Sequence, residues 1–154
     1  MSRPSRFRRT PRIHDICTDT DNPPELVAAA RQRARWQNPV AYEGVRVARL
    51  QQLAYPDILP VISLLDPDQA WLRVRSIILQ SGWQILHEDH NAGTIEAVAT
   101  TPLFRFRDDV VVRVRKEGAG SRIDIRSASR LGISDLGTNA RRIRVFIEQF
   151  QQEL

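Results

Sequence analysis

Between Thr94 and Ala128, apolar residues recur at every second position in three successive runs, and a chain with that period can bury them only as an antiparallel sheet. Ile95, Ala97 and Ala99, then Val110, Val112 and Val114, then Ile123 and Ile125 share one face. The other face takes Glu96, Val98, Thr100, Val111, Arg113, Arg115, Arg122, Asp124 and Arg126. That set reads as a charge ladder open to water, or as a groove for an anionic or amphipathic ligand. Trp83 to Glu88 precedes these runs, and Asn91-Ala92-Gly93 and Glu117-Gly118-Ala119-Gly120 are turn material. Four strands in a meander are therefore predicted, with hairpins at the first and third joins.

Helices flank the meander. Asp66 as cap, Pro67 in the first turn, Gln69 closing a capping box and Gly82 as a stop predict a helix burying Ala70, Trp71, Val74, Ile77 and Ile78. A final helix is expected from Ser134 or Asp135 to Gln151, with Leu136, Ala140, Ile143, Phe146, Ile147 and Phe150 facing inward. The apolar run Ile58 to Leu65 predicts a well-buried strand, one edge of it left unpaired by Pro60. Asn22-Pro23-Pro24-Glu25 predicts a capped helix start running through Ala30 toward Arg35, stopped by Asn38-Pro39. Pro39 to Pro56 reads as a long surface connection turning at Tyr42-Glu43-Gly44. The expected class is α+β: a curved antiparallel sheet of about five strands packed against two main helices in the order β-α-β-β-β-β-α. Its topology is like that of one TATA-binding-protein repeat or a small helix-grip domain.

A chain of 154 residues has room for one core. Residues 1–12, basic and carrying Pro4 and Pro11, read as a flexible tail ahead of a single domain at 13–154. Met1 to Pro11 holds no apolar run, so neither a signal peptide nor a membrane span is read there; as given, the chain is expected to be soluble. Arg-rich residues ahead of a folded domain also occur beside membrane anchors, so an upstream segment would make the protein membrane-associated. The net charge of +5 is carried by arginine, Lys116 being the single lysine. It suits solubility or an anionic partner, but its spread along the chain gives no nucleic-acid-binding tail. Cys17 is alone, which rules out an internal disulfide.

No G-x-S-x-G, Walker or G-x-G-x-x-G motif occurs, and no cofactor is implied. His14, Asp15, Cys17, Asp19 and Asp21 are metal-capable, yet no second Cys/His pair supplies the usual spacing. His87 and His90 are three apart on a strand and point to opposite faces. The best candidate surface gathers Thr100, Thr101, Phe104, Phe106, Asp108 and Asp109 with Arg126, Ser127, Ser129, Arg130, Ser134, Asp135, Asn139 and Arg142 at strand ends and a helix start. There, helix amides and arginines favour an anion. The structural alternative has Ser134 and Asp135 capping the helix, the aspartates pairing with Arg126 or Arg130, and the phenylalanines sealing the core edge.

The run from Thr100 to Val114 (TTPLFRFRDDVVVRV), then Gly120 to Arg130 (GSRIDIRSASR) and Gly132 to Ile143 (GISDLGTNARRI), resembles the family described as domain of unknown function 1499, an uncharacterised bacterial and plastid family. Ile13 to Asp19 and Ala54 to Ile58 extend the resemblance across nearly everything from Ile13 onward. The resemblance implies no established activity; many members are secreted, plastid-targeted or joined to N-terminal membrane helices. Arg105 stands where that family commonly has glycine, and Ile133 where it commonly has a basic residue. Taken together, the expectation is a noncatalytic, membrane-proximal binding module for an anionic or amphipathic ligand, a lipid or a protein, with nucleic acid disfavoured. The rival is an enzyme using Asp108, Asp109, Arg126 and Ser129 on a phosphorylated or acyl substrate.

Overall fold

A computed structural model describes residues 9–152; the first eight residues of the expected tail lie outside the described part. Ten elements follow one another: β1 (Asp15–Cys17), α1 (Val27–Ala30), α2 (Val45–Ala54), β2 (Val61–Ser63), α3 (Pro67–Gln80), β3 (Gln84–Asp89), β4 (Thr94–Thr100), β5 (Arg107–Glu117), β6 (Gly120–Ser129) and α4 (Thr138–Gln152). The protein is α+β, as the alternation and helical stripes predict. The antiparallel sheet has six strands in the order β1-β6-β5-β4-β3, with β2 also paired to β6. The two additional short pairings lie side by side on β6, with Asp15–Cys17 opposite Arg126–Ala128 and Val61–Ser63 opposite Ser121–Ile123.

The predicted core is observed. Ile95, Ala97 and Ala99, Val110, Val112 and Val114, and Ile123 and Ile125 are all buried against Ala70, Trp71, Val74, Ile77 and Ile78 of α3 and Ala140, Ile143, Phe146 and Phe150 of α4. The capping box on α3 is formed: the Asp66 carboxylate accepts from the Gln69 amide at 2.9 Å, while the Gln69 side chain accepts from the Asp66 amide.

Four expectations are corrected. The run 58–65 is no continuous buried strand: only Val61–Ser63 pairs, and Leu59, Ile62 and Leu64 alternate outward to solvent. The stretch from Pro39 to Pro56 holds a helix, α2, whose Gln51 side chain closes hydrogen bonds of 2.9 and 2.7 Å with the amide and carbonyl of Cys17. Gln51 thereby acts as a surrogate strand partner for the outer edge of β1. Helix α1 lasts a single turn and has no local side-chain cap; its amides at Ala28 and Ala29 are taken by Glu96, distant in sequence. Leu136 lies before α4 and is 76% exposed, so it does not belong to the helix's inward face.

The largest difference concerns the second face of the sheet. It is neither a wet ladder nor a ligand groove, because residues 18–44 cross it and bury its charges. Arg126 forms a bidentate pair with Asp15 at 3.0 and 2.7 Å and donates to the carbonyls of Pro24 and Val40. Arg130 and Arg33 converge on Asp109, all three nearly fully buried. Thr18 and Asp19 close the network over Asp124, where Arg113, Arg115 and Arg122 gather. Leu26, Ala29, Val111 and Ala128 add a small apolar cluster beneath this cover. A charged sheet face is thus closed by its own chain, with nearly every buried charge paired.

Candidate functional site

Strand parity divides the sequence-predicted cluster. Asp108 faces the helices and Asp109 the covering segment, because neighbouring residues on a strand point to opposite sides. Their partners confirm it: Asp108 meets Arg142 of α4 at 2.9 Å, and Asp109 meets Arg130 and Arg33. The two aspartates therefore do not converge with Arg126 and Ser129 into one reactive centre. Asp109, Arg126 and Arg130 hold the covering layer in place.

Ser127, Asn139 and Arg142 belong to a second interior network. Asn139 is fully buried, accepts from Ser127 Oγ at 2.6 Å and donates to Ser129 Oγ at 2.8 Å and to the His14 carbonyl at 3.2 Å. Arg142 donates to Asn139 at 2.8 Å and Ser127 at 3.1 Å. These bonds fasten the first turn of α4 to β6 and to His14, just ahead of β1. Burial pushes the Asp108 carboxyl above its ordinary value, although Arg142 and Ser129 act in the opposite direction.

The remaining predicted residues do come together, at the rim. Thr101, Phe104, Phe106, Asp108, Ser129, Ser134 and Asp135 line a cleft of about 530 Å³ between the β4–β5 loop and the β6–α4 loop. Thr100 stands exposed at the end of β4. Local chemistry shapes both loops. Thr101 donates its amide to the Phe106 carbonyl at 2.8 Å and accepts the Phe106 amide on Oγ1 at 2.9 Å, closing the first. In the second, Asp135 accepts from the amides of Gly137 at 2.7 Å and Asn139 at 3.3 Å, so its charge faces the start of α4. Each loop holds one non-glycine residue in the left-handed region, Arg105 at φ 56° and Leu136 at φ 53°. Arg105 thereby holds a backbone conformation that glycine adopts without steric cost.

The residues missed from the sequence are apolar. Leu103 and Leu131 join Leu136 on the cleft wall, and Leu103 is 81% exposed. Phe104 and Phe106 stack at 5.6 Å yet remain exposed rather than sealing the core edge. The available signal was position: large apolar residues inside turn segments, out of phase with either strand. Arg107 and Arg141 also line the cleft, and neither has an ion-pair partner among the described residues. No group of three metal-capable side chains converges among the described residues.

A six-stranded antiparallel sheet, covered by helices on one side and by its own N-terminal segment on the other, defines an α+β protein with an amphipathic cleft at one rim. Residues 15–150 match the family described as Protein of unknown function (DUF1499), and the chain belongs to that family. No match was found among curated proteins.

Proposed function

We propose that the protein is a noncatalytic binding module that takes an anionic amphiphile in the rim cleft. The observation that carries this reading is the combination of exposed Leu103, Phe104, Phe106, Leu131 and Leu136 around one cavity with Arg107 and Arg141, which have no ion-pair partner among the described residues. Clustered exposed apolar side chains at a cleft are a cost to a folded chain unless something covers them. The interior of the cleft already holds Asp108, paired with Arg142, so an anionic group fits best at the mouth, beside the guanidiniums of Arg107 and Arg141. The apolar part then lies along the leucines and phenylalanines.

Dodecyl phosphate below its micelle concentration tests this directly. It is expected to raise the melting temperature of the wild type by several degrees, since saturation at about a hundred times Kd adds about 2.7 kcal/mol. Leu103→Ser with Leu136→Ser, or Arg141→Glu, should abolish the rise. No shift in the wild type, together with no amphiphile copurifying in native mass spectrometry, would remove the reading.

A further inference from the structure

The rim combines exposed apolar side chains with exposed arginines. Leu103 and Leu136 stand on opposite walls of the cleft, 81% and 76% exposed. Arg105 on one loop, Arg107 at the start of β5 and Arg141 on α4 behind the other loop are exposed beside them. The N-terminal chain enters the fold at the same place: Ser134 Oγ donates to the Pro11 carbonyl at 3.2 Å, and the Asp135 amide donates to the Ile13 carbonyl at 3.3 Å. Arg9 and Arg12, beside that anchor, are exposed. Apolar loop tips ringed by arginines match the two layers of an anionic bilayer surface, acyl chains below and phosphates above.

We infer that the β4–β5 and β6–α4 loops dock onto an anionic lipid bilayer, inserting Leu103, Phe104 and Leu136 while the flanking arginines meet lipid phosphates. This rests on the amphiphile-binding reading of the same cleft and names the bilayer as the source of the amphiphile. Among the described residues no helix is long and apolar enough to cross a membrane. A protein partner would favour a flatter mixture of both charge signs, whereas the acids nearest the cleft are already engaged, Asp108 with Arg142 and Asp135 with the amides of α4.

The test is co-sedimentation of the full chain with vesicles of phosphatidylcholine, with and without phosphatidylglycerol. Binding is expected only where phosphatidylglycerol is present and should weaken as salt is raised. Arg107→Glu and Arg141→Glu should each lower the partition coefficient roughly fivefold or more, the factor expected for one basic group at an anionic surface. Leu103→Ser with Leu136→Ser should lower it at least as much, while Leu72→Ser, an exposed leucine on α3, should leave it unchanged. All of these side chains are exposed, so the variants are expected to fold, and their urea midpoints verify it. Full binding by the Leu103→Ser, Leu136→Ser variant would overturn loop insertion. Absence of vesicle binding with dodecyl phosphate binding intact would overturn bilayer docking and spare the cleft reading; loss of both would end both.

Discussion

Replacing Asp109 with alanine probes the claim that the second sheet face is sealed by the chain's own N-terminal segment. The carboxylate is fully buried and receives four hydrogen bonds: Arg33 Nε at 2.8 Å, Arg130 Nε at 3.2 and 3.0 Å, and Arg130 Nη2 at 2.8 Å. In Asp109→Ala, Arg33 keeps the carbonyls of Asn38, Pro39 and Ala128, and Arg130 keeps Gln32, but two buried guanidiniums lose their counter-charge. Breaking one buried pair costs about 3–5 kcal/mol, and with two cations sharing one acid the upper end is expected. That is a third or more of the roughly 5–15 kcal/mol that holds a domain together. For a chain of this length it corresponds to a fall in Tm of about 10 °C or more. Arg33→Met, which leaves the bidentate Arg130 pair intact, should cost only about 1–2 kcal/mol. Urea denaturation of the two variants beside the wild type measures both. If Asp109→Ala stays within about 1 kcal/mol of the wild type, the value of an exposed ion pair, the face is open to water and the covering layer does not pack as described.

Two further outcomes follow from local geometry. A Cβ at Gly93 would lie 2.2 Å from the Val114 carbonyl oxygen at a φ of +72°, whereas Gly82 at +73° has nothing within 4 Å. Gly82→Ala should therefore cost about 1 kcal/mol and Gly93→Ala clearly more; equal losses in a thermal melt would refute the close hairpin approach. Burial pushes the Cys17 thiol from 9.0 up to about 12, so a thiol reagent at about pH 8 should label it only in urea. Because the folded value is raised, its contribution to stability is complete below pH 9.0 and is lost as the pH climbs toward about 12. Stability curves of wild type and Cys17→Ala should diverge above that lower value, and parallel curves would disprove the burial.

The period-two pattern from Thr94 to Ala128 and the helical stripes of α3 and α4 were legible because each element's buried residues lie close together in sequence. The same holds for the capping box at Asp66 and Gln69, where donor and acceptor are three residues apart. The separation of Asp108 from Asp109 was also readable, since adjacent strand residues cannot share a face. What lay hidden were partnerships across long separations. Glu96 stands in for the cap that Asn22 was expected to give α1, Gln51 supplies the partner that β1 lacks, and Arg126 gathers Asp15, Pro24 and Val40. Charges alternating on a strand look the same whether water or a buried acid faces them, so sequence alone determined which side chains share a face of the sheet. Only the tertiary structure decided that residues 18–44 would close that charged face and leave the rim as the open surface, because a buried charge is stable only where the fold delivers its partner.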